Sequence, residues 1–196
     1  SYFGCNSCSK LRACIRTRMS IQDNIIAVRK HIPEGVVLVC VSKFHPAEAI
    51  QQLYEVGERD FGESRVQELM GKYEVLPKDI RWHFIGHLQR NKAKFVANKI
   101  DYLHSLDSLD LAKELNKLLT KPLKCFIEVS VNEEKSKNGI KINELDEFLK
   151  QIKQYEKIQI VGLMMMSMRD SSPQEKQEQF HQLKLLKDEY NPLFNL

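Results

Sequence analysis

A chain of 196 residues with 42% hydrophobic and 29% charged side chains has the size and balance of one globular domain with a sizeable core. Its apolar runs stay well short of the roughly 20 residues a spanning helix needs, which argues against a membrane protein. The net charge of +4 is matched by Lys10, Arg12, Arg16 and Arg18 in an acid-free head, leaving the rest neutral and arguing against a nucleic-acid surface.

That head, "SYFGCNSCSKLRACIRTR", holds three of the five cysteines, Cys5, Cys8 and Cys14. Its CxxC has no second ligand pair at matching spacing, so no zinc site is expected. Met19 reads as the natural start, with residues 1–18 a leader or upstream remnant outside the fold and 19–196 the folded domain. Cys40 and Cys125 lie inside apolar strands, where cysteine acts as a small hydrophobe. With no disulfide framework, the expected compartment is reducing, hence cytoplasmic.

From Met19 onward strand and helix signals alternate. Ile21, Ile25, Val28 and Ile32 recur at helical spacing, stopped by Pro33 and Gly35. "VVLVCV", Val36 to Val41, reads as a strand buried on both faces, followed by Ser42 and Lys43. A helix opens at Pro46 ("PAEAIQQLYEV") and ends at Gly57, the usual punctuation. "RDFGE" is a short strand and "SRVQELMGKYEVL" a helix. "IRWHFIG" is a strand and "QRNKAKFVANK" a helix. "IDYLHS" is a strand, and Asp107 or Ser108 caps the helix "LDLAKELNKLL". "LKCFIEVSV" and "IQIVGLMMM" are strands around the helix "INELDEFLKQIKQY", and a last helix runs from Pro173 to about Tyr190.

Six βα units in succession, without a tandem hairpin, build a parallel sheet. No GxGxxG or GxxxxGK[ST] follows the first strand, so the usual nucleotide-binding signatures are missing. Short, evenly spaced strands ending in polar residues favour a (β/α)8 TIM-type barrel truncated to about six βα units. In such a barrel function gathers at the carboxyl ends of the strands.

Those ends carry Lys43, Glu63, Gly86 with His87, His104 with Ser105, Asn132, and Met164 to Met166. No carboxylate pair or histidine cluster has metal-ligand spacing, so no metal is expected. No nucleophile elbow supports a Ser-His-Asp arrangement. His83, between Trp82 and Phe84, reads as a packed core histidine, and the methionines as core filling. An amine at the mouth of an enclosed strand end is the outstanding feature. Partial burial disfavours an ammonium and frees the nitrogen lone pair for attack on a carbonyl.

"VSKFHP", "FGESRVQE", "WHFIGHLQRNK", "HSLDS", "EEKSKNGI" and "GLMMM" occur in an order that resembles the pyridoxal phosphate homeostasis protein family. The resemblance runs from Met19 to the end, and "WHFIGHLQRNK" is long enough to be specific. It implies a barrel of the alanine racemase N-terminal-domain kind and pyridoxal 5'-phosphate (PLP) as cofactor. It implies that Lys43 of the "VSK" motif holds PLP as a covalent imine, with His104 and Ser105 near the ring.

Two departures stand out. Ser64 occupies the place of the asparagine in the family's FGEN. The family's C-terminal serine- and glycine-containing segment and "VRIG"-like strand, expected to cradle the phosphate, do not occur in these 196 residues. The function implied is a non-enzymatic PLP carrier or buffer passing its cargo to apo-enzymes, as a monomer or weak dimer. The alternatives are a PLP-dependent amino-acid racemase-like enzyme and a barrel remnant that only offers an interaction surface. Racemases of this barrel type take a second acid/base from an added β domain, for which the chain offers no sequence.

Overall fold

The computed structural model describes residues 2–3, 20–130, 138–167 and 170–193. The chain divides into two compact units, Ser1–Phe84 and Ile85–Leu196. Every strand pairing described within each unit is parallel.

In the first unit, β1 (Tyr2–Phe3) pairs with β2 (Val37–Leu38). Between them in sequence lies α1 (Ile21–Arg29), opened by a capping box in which Ser20 and Asp23 satisfy each other's backbone N–H groups. The main sheet runs β3 (Cys40–Val41), β4 (Asp60–Glu63) and β5 (Arg81–Phe84), with Val41 opposite Gly62 and Glu63 opposite Phe84. Helices α2 (Ala47–Glu55) and α3 (Val66–Val75) form the crossovers. Phe61, Trp82, Phe84, Ile50 and Leu69 fill the core, and the Phe61 and Trp82 rings lie 6.3 Å apart.

The run Val36 to Val41 is not the single doubly buried strand its composition predicts. It breaks into β2 and β3 around Val39, the one buried residue of the stretch. The break has a topological cause, because the first piece pairs with β1 and the second with β4. By contrast β4 is buried throughout despite its two acids, whose charges meet partners described below.

In the second unit a 3-10 turn, Arg90–Lys92, leads into the short α4 (Ala93–Val96), a briefer helix than "QRNKAKFVANK" suggests. β6 (Tyr102–Leu106) and β9 (Ile158–Met164) pair with the long central β7 (Leu123–Ser130). The two-residue β8 (Ile140–Lys141), unforeseen in the sequence, pairs with the end of β7. Ser108 caps α5 (Leu109–Leu118), its Oγ accepting the Leu111 N–H at 3.3 Å. A second 3-10 turn precedes α6 (Leu145–Ile152), whose Leu145, Phe148, Leu149 and Ile152 are all buried. The last helix, α7 (Pro173–Tyr190), begins in the Ser172–Glu175 capping box and buries none of its residues.

Candidate functional site

Lys43 lies two residues past the end of β3, at the strand's carboxyl end as the sequence predicts, in a turn that leads to Pro46 at the head of α2. The turn closes through the His45 N–H, which donates to the Ser42 carbonyl at 3.0 Å. Lys43 is half-buried, and its amine has no hydrogen bond or ion pair among the described residues. An amine held at a strand end with no anionic partner is available to a carbonyl.

The groups beside it are, in contrast, tightly engaged. Ser42 N–H donates to Gly62 O at 2.9 Å, and Ser42 Oγ donates to Glu63 Oε1 at 2.6 Å. Lys72, on α3, reaches the same Glu63 oxygen at 2.5 Å and the Ser42 carbonyl at 2.9 Å. Its ammonium also lies 3.5 Å from Glu68 Oε2, the oxygen that accepts the Phe44 N–H at 2.9 Å. Burial pushes the Glu63 carboxyl upward, while Lys72 and Ser42 pull it back. The Phe44 N–H, with Lys72 and Arg65, draws Glu68 below the usual carboxylate range. Phe44 itself is exposed, its ring under the Arg65 guanidinium at 4.8 Å.

Sequence reading found Ser42, Lys43 and Glu63 but passed over Glu68 and Lys72. Their signal was present. Lys72 lies three residues beyond Leu69 on α3, so helical spacing puts it on the apolar face with that residue, and both are buried. A lysine on a core face needs a buried acid, and Glu63 supplies it.

In the second unit, Gly86 and His87 come after the strand that ends at Phe84, and His104 and Ser105 lie in the last part of β6, as the strand "IDYLHS" predicts. Ser105 Oγ donates to Gly86 O at 2.5 Å, so its hydrogen is engaged. The His104 ring packs against Phe126 with centroids 4.6 Å apart. His87 Nδ1 stands 3.3 Å from Asp107 Oδ2. Burial raises the carboxyls of Asp107 and of Glu128, and the two acids reinforce the rise at Glu128. Of the methionines expected as filling, Met165 is buried, Met164 half-buried and Met166 exposed. Asn132 lies outside the described residues, as do Cys5, Cys8, Cys14 and most of "EEKSKNGI".

Away from the strand ends, His83 is fully buried with Nε2 3.0 Å from Asp60 Oδ1, a packed histidine in a charge network. Among the described residues no group of three or more His, Cys, Asp or Glu side chains could hold a metal ion. No described helix is long and apolar enough to cross a membrane.

The family model described as "Alanine racemase, N-terminal domain" matches residues 18–194. A relative from Aquifex aeolicus, named pyridoxal phosphate homeostasis protein, is 36% identical over 163 residues, 81% of this chain and 72% of its own. Relatives of the same name from Schizosaccharomyces pombe and Escherichia coli K12 are 37% and 38% identical over 66% and 67% of this chain. The matches span 57% and 59% of those two proteins' lengths. The structure of PipY from Synechococcus elongatus PCC7942, known without PLP and with PLP bound, matches with a TM-score of 0.83 at 34% identity. That match covers 90% of this chain and 86% of PipY. Alanine racemase from Clostridium difficile 630, at 14% identity, shares the fold over 88% of this chain and 47% of its own, with a TM-score of 0.72. The α/β fold expected from the strand and helix pattern is therefore the alanine racemase N-terminal kind. The chain belongs to the alanine racemase N-terminal domain family and, within it, to the pyridoxal phosphate homeostasis protein family.

Proposed function

We propose that the chain binds PLP covalently through Lys43 and serves intracellular PLP homeostasis as a carrier or buffer rather than as an enzyme. The observation that carries this reading is the Lys43 amine, without a partner among the described residues, in a turn whose flanking residues are both hydrogen-bonded in place. It is supported by the 34% identity to PipY, whose structure contains PLP. The cofactor, when bound, supplies an aldehyde that captures amines reversibly. Lys43 Nζ forms the bond to the aldehyde carbon, and both amine hydrogens leave with the aldehyde oxygen as water.

The same reading makes apo-enzymes the recipients, the cytoplasm the compartment, and a monomer or weak dimer the working state. The compartment has chemical support. Cys40 and Cys125 are both free, and burial pushes the Cys40 thiol up to about 12 and the Cys125 thiol higher still. Such raised thiols are poor nucleophiles, as suits a reducing compartment.

The decisive measurement is an absorbance titration with PLP, followed by borohydride reduction and peptide mapping. The pyridoxyl group is expected on Lys43 and to vanish in K43A. A label found mainly on Lys92 or Lys137 would overturn the assignment.

A further inference from the structure

Phe44 has φ 66°, the only positive value among the described non-glycine residues. A bulky side chain adopts this left-handed backbone only under constraint, because its Cβ crowds the neighbouring carbonyl. Here the constraint is visible. Glu68 Oε2 accepts the Phe44 N–H at 2.9 Å, and Lys72 Nζ stands 3.5 Å from that same oxygen. On the other side, Lys72 donates to the Ser42 carbonyl at 2.9 Å and to Glu63 Oε1 at 2.5 Å. One ammonium thus reaches the residue before Lys43 directly and the residue after it through Glu68.

Stability gives a poor account of this arrangement. Glu63 is fully buried and Lys72 8% exposed, and buried ion pairs are often replaceable by apolar residues without loss. Glu63 Oε2 has no hydrogen-bond partner among the described residues, which adds a further cost of burial. Strained backbone beside an amine without a partner among the described residues is, in contrast, a mark of a preorganised site.

We propose that Lys72, with Glu63 and Glu68, is a positioning residue for Lys43. It locks the backbone on both sides of the amine into one conformation before any ligand arrives. The inference rests on Lys43 being the PLP-binding amine. Preordering matters because a turn that had to be ordered on binding would reduce affinity by that cost. The clamp does not touch the ligand and acts only through the Ser42 and Phe44 backbone.

The test uses the full chain and the variants K72M, E68A and E68Q, each checked for folding by circular dichroism and thermal melting. PLP is titrated while the absorbance of the adduct is followed, and each sample is reduced and mapped. K72M and E68A are expected to weaken PLP binding by about tenfold or more, the scale of a lost charged hydrogen bond. E68Q keeps an acceptor for the Phe44 N–H and is expected to retain affinity within about threefold. A merely structural role for Glu68 would not separate alanine from glutamine in affinity while leaving their melting temperatures alike. Should K72M fail to fold, the E68A and E68Q pair, at a partly exposed position, carries the test. Folded variants that bind as tightly as the parent overturn the clamp, as do equal losses in E68A and E68Q. A parent chain with no label on Lys43 overturns the PLP reading itself, and the clamp with it.

Discussion

Asp60, at the start of β4, receives Arg81 Nε at 2.9 Å and Arg81 Nη2 at 2.5 Å, with His83 Nε2 3.0 Å away. Burial alone would raise its pKa, but the hydrogen bonds from His83 and Arg81 outweigh that cost and hold the carboxyl at about 2. The folded value lies below the unfolded one. The ionised carboxylate therefore stabilises the fold above about pH 4, and that contribution is lost as pH falls through about 2. A depression of this size is worth ~2 kcal/mol at neutral pH. D60N is expected to lower the unfolding free energy by about that amount at pH 7, with the gap closing as the pH is brought toward 2. Urea unfolding of both proteins across that range measures it, and a gap independent of pH would remove Asp60 from the linkage. Part of this chemistry was legible beforehand. An acid opening a buried strand demands a partner, but a histidine between Trp82 and Phe84 reads only as packed. The Asp60–His83 contact comes from strand register, which places Asp60 opposite Arg81 and Gly62 opposite His83. No local pattern states which strands pair in which register.

At the scale of elements, the helices were readable because their signals are local. Ser20, Ser108 and Ser172 each accept an N-terminal N–H, and Pro173 opens α7 as its position suggests. The strands were harder, since pairing decides them. Val36 to Val41 breaks where the partner changes, and β8 is a two-residue strand paired with the end of β7. Its approach depends on Gly139, with φ 98°. A Cβ there would stand 2.9 Å from Ser130 N and 3.1 Å from Val129 C, backbone atoms that cannot swing aside. Gly57, with φ 100°, has nothing within 4 Å of its would-be Cβ. G57A therefore measures the backbone conformation alone, at about 1–2 kcal/mol. G139A is expected to cost about 1–3 kcal/mol more, through the clash with β7. Chemical denaturation of the two variants separates these contributions. Equal losses would mean that β8 tolerates displacement from β7.

For the molecule as a whole, the question is whether a chain proposed to hold PLP on an amine would also turn over amino acids. PLP in solution already labilises the α-hydrogen of an amino acid. Enzyme-like rates require positioned groups that remove and return that proton, typically worth 10²–10⁴-fold each. Two acids of the network that holds the Lys43 turn, Glu63 and Glu68, are engaged with other groups. Glu63 is shared by Ser42 and Lys72, and Glu68 is shared by Lys72 and the Phe44 N–H. Glu68 Oε2 accepts the Phe44 N–H and Glu63 Oε1 accepts from Ser42 Oγ and Lys72, so proton transfer at either oxygen would disturb the arrangement that presents Lys43. On the proposed function, the network favours holding PLP over using it. Alanine incubated with the protein and PLP in deuterated water should exchange its α-hydrogen no faster than with PLP and the K43A variant. Exchange followed by proton NMR decides the matter. A rate well above that control would place a free acid/base beside Lys43, and the carrier reading would give way to an enzyme.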